Sequence, residues 1–322
     1  MLAWRPSGLS RTCLTSMALV ALAGAVAGCA VTAPLEAYRL QTVRLRTVDA
    51  LITISHAPRE MEVPAAELRQ WIDDAVQATR TYYGRFPVEE VHVLVAAADG
   101  RGPQSGTTFG LGTPTIRVSV GRASDSADLR RDWMMTHEMI HLAFPRVPAE
   151  HHWIEEGLAT YVEPIARAQS GQLSAEQVWH ELIEGLPQGL PEIGDRGLDY
   201  TPTWGRTYWG GALYCLLADV EIRRRTDNRL GLQDALRGVL EAGGNIEKVW
   251  PLARALKHAD QAVGVPVMSE LYEQMRATPV DVDLDTLWLE LGVSIRDGRV
   301  VFDDEAPLAS LRRSITARST TI

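Results

Sequence analysis

Residues Trp133–Phe144 read WMMTHEMIHLAF, and all of their side chains are apolar except Thr136 and three ionisable groups. These groups are His137, Glu138 and His141, which form the pattern His-Glu-x-x-His. Four residues turn a helix by about 400°, so both histidines lie on one face. Glu138 is rotated by about 100° from His137 about the helix axis. Burying three polar groups in an apolar helix is costly unless they have a partner. A metal ion bound by the two imidazoles, with a water molecule in reach of the glutamate, is such a partner.

A third protein ligand must come from outside this helix. Pro145 and Pro148 end the helix and turn the chain, so the following segment can return as a second helix. We favour Glu156, fifteen positions after His141. A third histidine six residues after His141 would indicate a metzincin, but Val147 occupies that position. The sequence leaves other side chains open for this role: Glu150, Glu155, Glu163, His151 and His152.

These residues carry a family resemblance. The motif His137-Glu138-x-x-His141, followed by Trp153-x-x-Glu156-Gly157-x-Ala159-x-Tyr161, resembles the gluzincin zinc metallopeptidases, and within them the glycyl aminopeptidase-like (peptidase MA-like) group. The resemblance implies that Glu156, directly before the glycine, is the third ligand of one zinc ion. Glu138 is then the general base that activates water for hydrolysis of a peptide bond.

A second segment, Tyr208-Trp209-Gly210-Gly211-Ala212-Leu213, resembles the family's Tyr-x-Lys-Gly-Ala-Leu helix. This resemblance implies that the Tyr208 hydroxyl stabilises the transition state. The family lysine is replaced by Gly210 here. The alternative for Tyr208 is an aromatic side chain that only packs at the start of a helix.

The resemblance also implies an α+β fold class. We expect a thermolysin-like gluzincin domain over residues 38–322, in which a small mixed sheet and the His-Glu-x-x-His helix precede a mainly helical C-terminal lobe. The sheet-containing lobe is expected over about 38–145 and the helical lobe over about 146–322.

Apolar periodicity and turn residues predict the individual elements. The predicted strands are 43–48, 51–54, 91–97 and 115–120. The predicted helices are 64–84, 174–184, 203–225, 231–242, 245–262 and 266–277. A hairpin is predicted around Asp297-Gly298. The His180-Glu181 pair within 174–184 lacks a second histidine, so we predict that it is only surface charge.

Several segments are candidates for the walls of a cleft. Gly100–Gly112 is predicted to be a glycine-rich loop, and Gly185–Pro202 a long loop at the border of the cleft. Thr115–Val120 either pairs with an extended substrate or is a plain sheet strand. Trp153 and Trp209 are expected near the cleft. The chain has no clear Gly-x-Met-Glu-Asn segment of the larger aminopeptidases, so the choice between exo- and endopeptidase stays open.

The N-terminal residues predict export. Arg5 and Arg11 precede the apolar stretch Leu14–Val26, and Cys29 follows Val-Ala-Gly. This resembles a bacterial lipoprotein signal peptide over 1–28, with Cys29 lipid-modified and residues 29–37 as a tether. The resemblance implies that Ala30, directly after the cysteine, favours sorting to the periplasmic face of an outer membrane. The alternatives are ordinary signal cleavage with Cys29 incidental, or Cys13 as the modified residue.

Charge and cysteine content exclude some functions. The formal net charge is −9, and loss of Arg5 and Arg11 with the signal makes it about −11. With only Lys248 and Lys257 as lysines, the chain has no basic stripe for nucleic acid, which we exclude as a partner. Three cysteines, one of them in the signal, leave no disulfide framework.

The sequence therefore predicts a lipid-anchored zinc metallopeptidase of the cell envelope that acts on peptides or proteins. The alternative is a non-catalytic zinc-containing envelope lipoprotein with a binding or assembly role. A purely structural zinc site normally has four protein ligands and does not need Glu138. Hydrolysis of a non-peptide bond, the identity of the substrate and the oligomeric state stay open.

Overall fold

A computed structural model describes residues 40–57 and 61–319. It contains a five-stranded sheet in the order β1-β2-β3-β5-β4. β2, β3 and β5 run parallel, while β1 and β4 are antiparallel strands at the two edges. The strands are β1 Gln41–Arg46, β2 Leu51–His56, β3 Glu90–Ala98, β4 Pro103–Phe109 and β5 Thr115–Gly121. The predicted Cys29 modification and the signal peptide lie outside the described residues.

The predicted strands of the sheet are confirmed within two residues, except β4. Gly100–Gly112 was predicted to be a loop, yet β4 occupies Pro103–Phe109 within it. This edge strand has mostly exposed polar side chains, so it lacks the apolar alternation on which the prediction of strands depends. The prediction of a loop was therefore wrong.

The position of β4 also corrects the predicted cleft wall. β5 lies between β3 and β4 and is hydrogen-bonded on both sides. A strand with two partners has no free edge for a substrate, so Thr115–Val120 is a plain sheet strand. The outer strand is β4.

Helix α1, Ala65–Tyr83, agrees with the helix predicted over 64–84, and it packs against the sheet. Pro64 precedes its first turn, and Gly84 closes it in the left-handed region with φ 78°. Its buried face, which includes Leu68, Trp71 and Ile72, packs into one cluster with the inward side chains of the sheet.

Most of the chain after β5 is helical. The helices are α2 Ser126–Arg130, α3 Met134–His141, α4 His152–Gln169, α5 Ala175–Gly185, α6 Gly211–Arg225, α7 Leu232–Glu241, α8 Leu252–Val263, α9 Val267–Met275, α10 Leu284–Leu291 and α11 Ala309–Thr316. A small sheet together with many helices confirms the predicted α+β class. Among the described residues, no helix combines the length and the apolar character that crossing a bilayer requires.

Two details of the helical region differ from the prediction or refine it. α8 begins at Leu252 rather than at residue 245. The preceding residues instead pair with Arg146, whose N–H donates to Lys248 O at 2.9 Å. The predicted hairpin is present as β6 Val293–Arg296 and β7 Arg299–Phe302, joined by two residues with positive φ.

The short helix α3 lies between two hydrophobic clusters. Met135, Met139 and Leu142 belong to the cluster of the sheet and α1. Ile140 and Phe144 belong to the cluster of the later helices. Apolar packing on both sides fixes this helix in place and removes the side chains of residues 135–140 from water.

Candidate metal centre

Asp132 anchors the start of α3. Its carboxylate accepts hydrogen bonds from Met135 N at 2.9 Å and from the Trp71 indole of α1 at 3.0 Å. The helix then carries His137 and Glu138, only 4% and 6% exposed, into the interior. Polar groups at this depth need partners.

A carboxylate from α4 meets the two histidines. The chain turns after α3, and a short 3₁₀ helix at Ala149–His151 leads directly into α4. Glu156 Oε2 lies 3.2 Å from His137 Nε2 and 3.6 Å from His141 Nε2. Ligand atoms of the three residues all lie within 4.8 Å of one another. Tetrahedral zinc ligands at about 2.0–2.1 Å from the ion are about 3.3 Å apart, so this donor set fits zinc.

The protonation states suit metal binding. Burial, with a contribution from the nearby His137, lowers the pKa of His141 to about 3, so its ring stays neutral. Burial opposes ionisation of Glu156, but its hydrogen bond with His137 and the nearby histidines outweigh this and lower its pKa to about 2. Neutral imidazoles and an ionised carboxylate are the forms that coordinate zinc.

The other acids considered for the third ligand lie elsewhere. Glu150 is exposed to solvent. Glu155 Oε1 accepts the N–H of Val147 at 3.2 Å. Glu163 pairs with Arg167 at 2.8 Å and is buried with it.

The two neighbouring histidines at the start of α4 have different partners. His151 Nδ1 lies 2.9 Å from the carboxylate of Asp199, away from the three converging residues. His152 lies beside Glu155 and Glu156, but it does not belong to the group whose atoms converge.

Glu138 faces the same space as the ligands and is held by β4. Thr108 Oγ1 donates a hydrogen bond to Glu138 Oε2 at 2.6 Å. Burial raises the pKa of Glu138, and the bond from Thr108 opposes part of that shift. A Cβ added at Gly106 would lie only 2.4 Å from Glu138 Oε1. Sequence reasoning missed both β4 residues, although a glycine within a strand is a known signal of close approach.

Tyr208 lies in a π-helical turn, Arg206–Gly210, directly before α6. Such turns are rare and often occur at functional sites. Its ring is stacked 6.3 Å from that of His137, with 20° between the planes. Burial, together with the neighbouring Glu156 carboxylate, raises the pKa of Tyr208 to about 12. The hydroxyl therefore stays protonated and can donate a hydrogen bond.

Two glycines bring α6 against α4. A Cβ on Gly157 would lie 2.3 Å from the backbone of Gly211, and a Cβ on Gly211 would lie 2.2 Å from Trp153 O. Only glycine fits at this crossing. Gly210 is also confined, since a Cβ there would lie 3.1 Å from the Leu198 side chain.

Two cavities, of about 730 and 520 Å³, share Trp133, His137 and Tyr208 in their walls. Trp133 and Trp204 border the larger cavity and are 51% and 61% exposed. Each volume is in the range of ligand pockets. The smaller cavity is lined by Glu138 and by all three converging residues, and the larger cavity adjoins it at this shared wall, so the two form one groove.

Two predicted features do border this groove. Trp209 lines the larger cavity, and so does Gln188, which lies in the segment predicted to be a long loop. The expectation for Trp153 was wrong. It is 3% exposed in the helical core, where its indole donates to Asp199 at 2.8 Å.

Comparison with known proteins gave matches at the level of fold. The sequence matches no protein-family model and no curated protein. The structure is similar to that of an aminopeptidase N family protein from Idiomarina loihiensis, with a TM-score of 0.58 and 13% identity. The match covers 80% of this chain and 50% of that one.

A second solved structure is an M1 zinc metallopeptidase from Deinococcus radiodurans, with a TM-score of 0.48 and 14% identity. This match covers 76% of the present chain and 52% of the Deinococcus protein. This chain thus spans about half the length of both solved proteins. The first match indicates a shared fold, with a small mixed sheet and many helices.

Proposed function

We propose that this protein is a zinc-dependent metallopeptidase that hydrolyses peptide bonds. One observation carries the proposal: His137, His141 and Glu156 converge while the carboxylate of Glu138, which does not belong to this set, is buried beside them. Three protein ligands leave a position open for water or substrate, as in catalytic zinc sites. The fold shared with an aminopeptidase N family protein supports this proposal.

The residues around the centre have separate roles in the reaction. When bound, zinc supplies a Lewis acid and lowers the pKa of a water molecule toward about 7. Glu138, oriented by Thr108, accepts the proton of the attacking water and passes it to the nitrogen of the leaving amine. The Tyr208 hydroxyl donates a hydrogen bond to the carbonyl oxygen as that oxygen gains negative charge, a contribution of about 3 kcal/mol.

We also propose that the substrate is an extended peptide cleaved at an internal bond. The larger cavity adjoins the one that holds the metal centre, so the groove has space for more of a peptide than the residue beside the cleaved bond. β4 can pair with the peptide backbone along its outer edge.

The test uses the full chain, purified in detergent and loaded with zinc. Internally quenched peptides with acetylated N-termini are compared with aminoacyl fluorogenic substrates, and zinc is measured by mass spectrometry. We expect one zinc per chain and cleavage of the acetylated peptides, both measured against the Glu138→Gln protein. Cleavage of aminoacyl substrates alone would identify an exopeptidase. Bound zinc without cleavage in either panel would favour the non-catalytic envelope lipoprotein.

For the location we propose a lipid anchor at Cys29 and a site at the periplasmic face of the outer membrane. The basic N-terminus, the apolar stretch and Val26-Ala27-Gly28-Cys29 support this. Labelling with a palmitate analogue and membrane fractionation test it. We expect Cys29→Ser to abolish both the label and retention in the membrane fraction, whereas Cys13→Ser should leave both intact.

A further inference from the structure

His152 and Glu156 are one helical turn apart at the start of α4. His152 Nε2 lies 3.3 Å from Glu156 Oε1. The other oxygen, Oε2, is the one that faces His137 and His141. The two oxygens of this carboxylate therefore have different neighbours, an imidazole on one side and the metal centre on the other.

The second ring nitrogen of His152, Nδ1, contacts the carboxylate of Glu155. Glu155 Oε2 lies 3.1 Å from His152 Nδ1, while Glu155 Oε1 accepts the N–H of Val147 at 3.2 Å. A continuous set of contacts thus connects the backbone of the α3–α4 turn with Glu156. His152 itself does not belong to the group of atoms that can share a metal.

We propose that His152 is a positioning residue that holds Glu156 as a one-oxygen ligand of the metal, with Glu155 orienting the His152 ring. The proposal rests on the zinc centre of the proposed function. To present both oxygens to the ion, the carboxylate would have to rotate and give up the contact of Oε1 with His152. One coordination position is thereby kept for water and substrate. Partners of this kind, which orient a ligand without touching the metal, typically change metal affinity by about 10- to 100-fold.

The test measures the zinc dissociation constant of the full chain by competition with a chelator. His152→Ala is expected to weaken zinc binding by about 10- to 100-fold. His152→Gln keeps an N–H donor for Oε1 and should restore part of the loss. His151→Ala is the matched control, because His151 contacts Asp199 and not Glu156. The control should bind zinc like the parent protein, and the metal-free unfolding temperatures of all variants should agree.

Three results would overturn the proposal. One is an unchanged dissociation constant in His152→Ala. Another is an equal loss in His151→Ala, because this would indicate general loosening of the start of α4. The third is loss of one nitrogen ligand in the X-ray absorption spectrum of cobalt-loaded His152→Ala, because His152 would then bind the metal directly. Failure of the parent protein itself to bind zinc would instead refute the proposed function.

Discussion

Helices α3 and α5 each carry a histidine followed by a glutamate, His137-Glu138 in the first and His180-Glu181 in the second. Four residues after its first histidine, α3 has His141, whereas α5 has Glu184. His137 and Glu138 are buried, while His180 and Glu181 are exposed.

The difference between the two helices lies in their surroundings. α3 packs against hydrophobic clusters on two sides and faces Glu156 of α4. α5 packs only one face, through Val178, Trp179 and Leu182, and its other face contacts water. The same dipeptide becomes a candidate for chemistry only where burial leaves its polar atoms without water and a second helix supplies an acid.

The largest effect is expected from removing a ligand in α3. His141→Ala should lose nearly all bound zinc and all turnover, because one imidazole and Glu156 cannot form a stable site. Its unfolding temperature should also fall to that of the metal-free parent protein, since bound zinc stabilises the folded state. The equivalent change in α5, His180→Ala, should alter neither zinc content nor unfolding temperature. Normal zinc content in His141→Ala would refute the assigned ligand set.

The second comparison concerns the two glutamates. Glu138→Gln should keep its zinc and lower kcat by roughly 10²- to 10⁴-fold, because the amide cannot accept the proton of water. Glu181→Gln should lower kcat far less than Glu138→Gln, because Glu181 borders the larger cavity but does not belong to the metal centre. The kcat values of both variants are measured with the peptide that the parent protein cleaves best. A Glu138→Gln protein that retains full kcat would remove this residue from the mechanism.

A smaller effect is expected at Tyr208, which contributes one hydrogen bond. Tyr208→Phe should lower kcat by roughly 10- to 1,000-fold and leave zinc content unchanged. Because the pKa of Tyr208 is raised to about 12, its hydroxyl stays protonated across the working range. The ratio of parent to variant rates should therefore be constant between about pH 6 and 10. Loss of zinc in the variant would contradict the role assigned to the hydroxyl.

The smallest expected effect comes from β4, where Gly106 adjoins Glu138. Gly106→Ala adds a methyl group that must displace the Glu138 carboxylate, so kcat should fall by up to about 100-fold. Zinc content should stay normal. Ser105→Ala, one residue earlier on the same strand, serves as control because the Ser105 hydroxyl contacts Ser119 rather than the centre. An equal loss in both variants would point to damage of the strand and not to a shift of Glu138.

The sequence was informative where local signals agreed with the final packing. Pro64 and Gly84 delimit α1 as predicted, and the alternating apolar residues of β3 and β5 give buried strands. The convergence of His137, His141 and Glu156 follows the helical spacing and the turn after α3. Each of these predictions needed only short-range information.

Predictions that depended on tertiary neighbours were weaker. β4 has no apolar alternation because it is an exposed edge strand. The roles of Thr108 and Gly106 could not be predicted, because they depend on contacts with Glu138 in the folded protein. Trp153 is close to Glu156 in sequence, but a buried carboxylate on another segment holds its indole in the core. No spacing rule could have shown that Gly106, about thirty residues before Glu138, sets the position of that side chain.

The contact of Gly157 with Gly211 has a consequence for how the protein tolerates change. Backbone atoms fix the distance between these two helices, and backbone atoms have no alternative rotamers. Glu156 and Tyr208 should therefore shift together when distant parts of the helical core are repacked. We expect that mutations far from this crossing reduce the amount of folded protein while each folded molecule keeps its full catalytic rate.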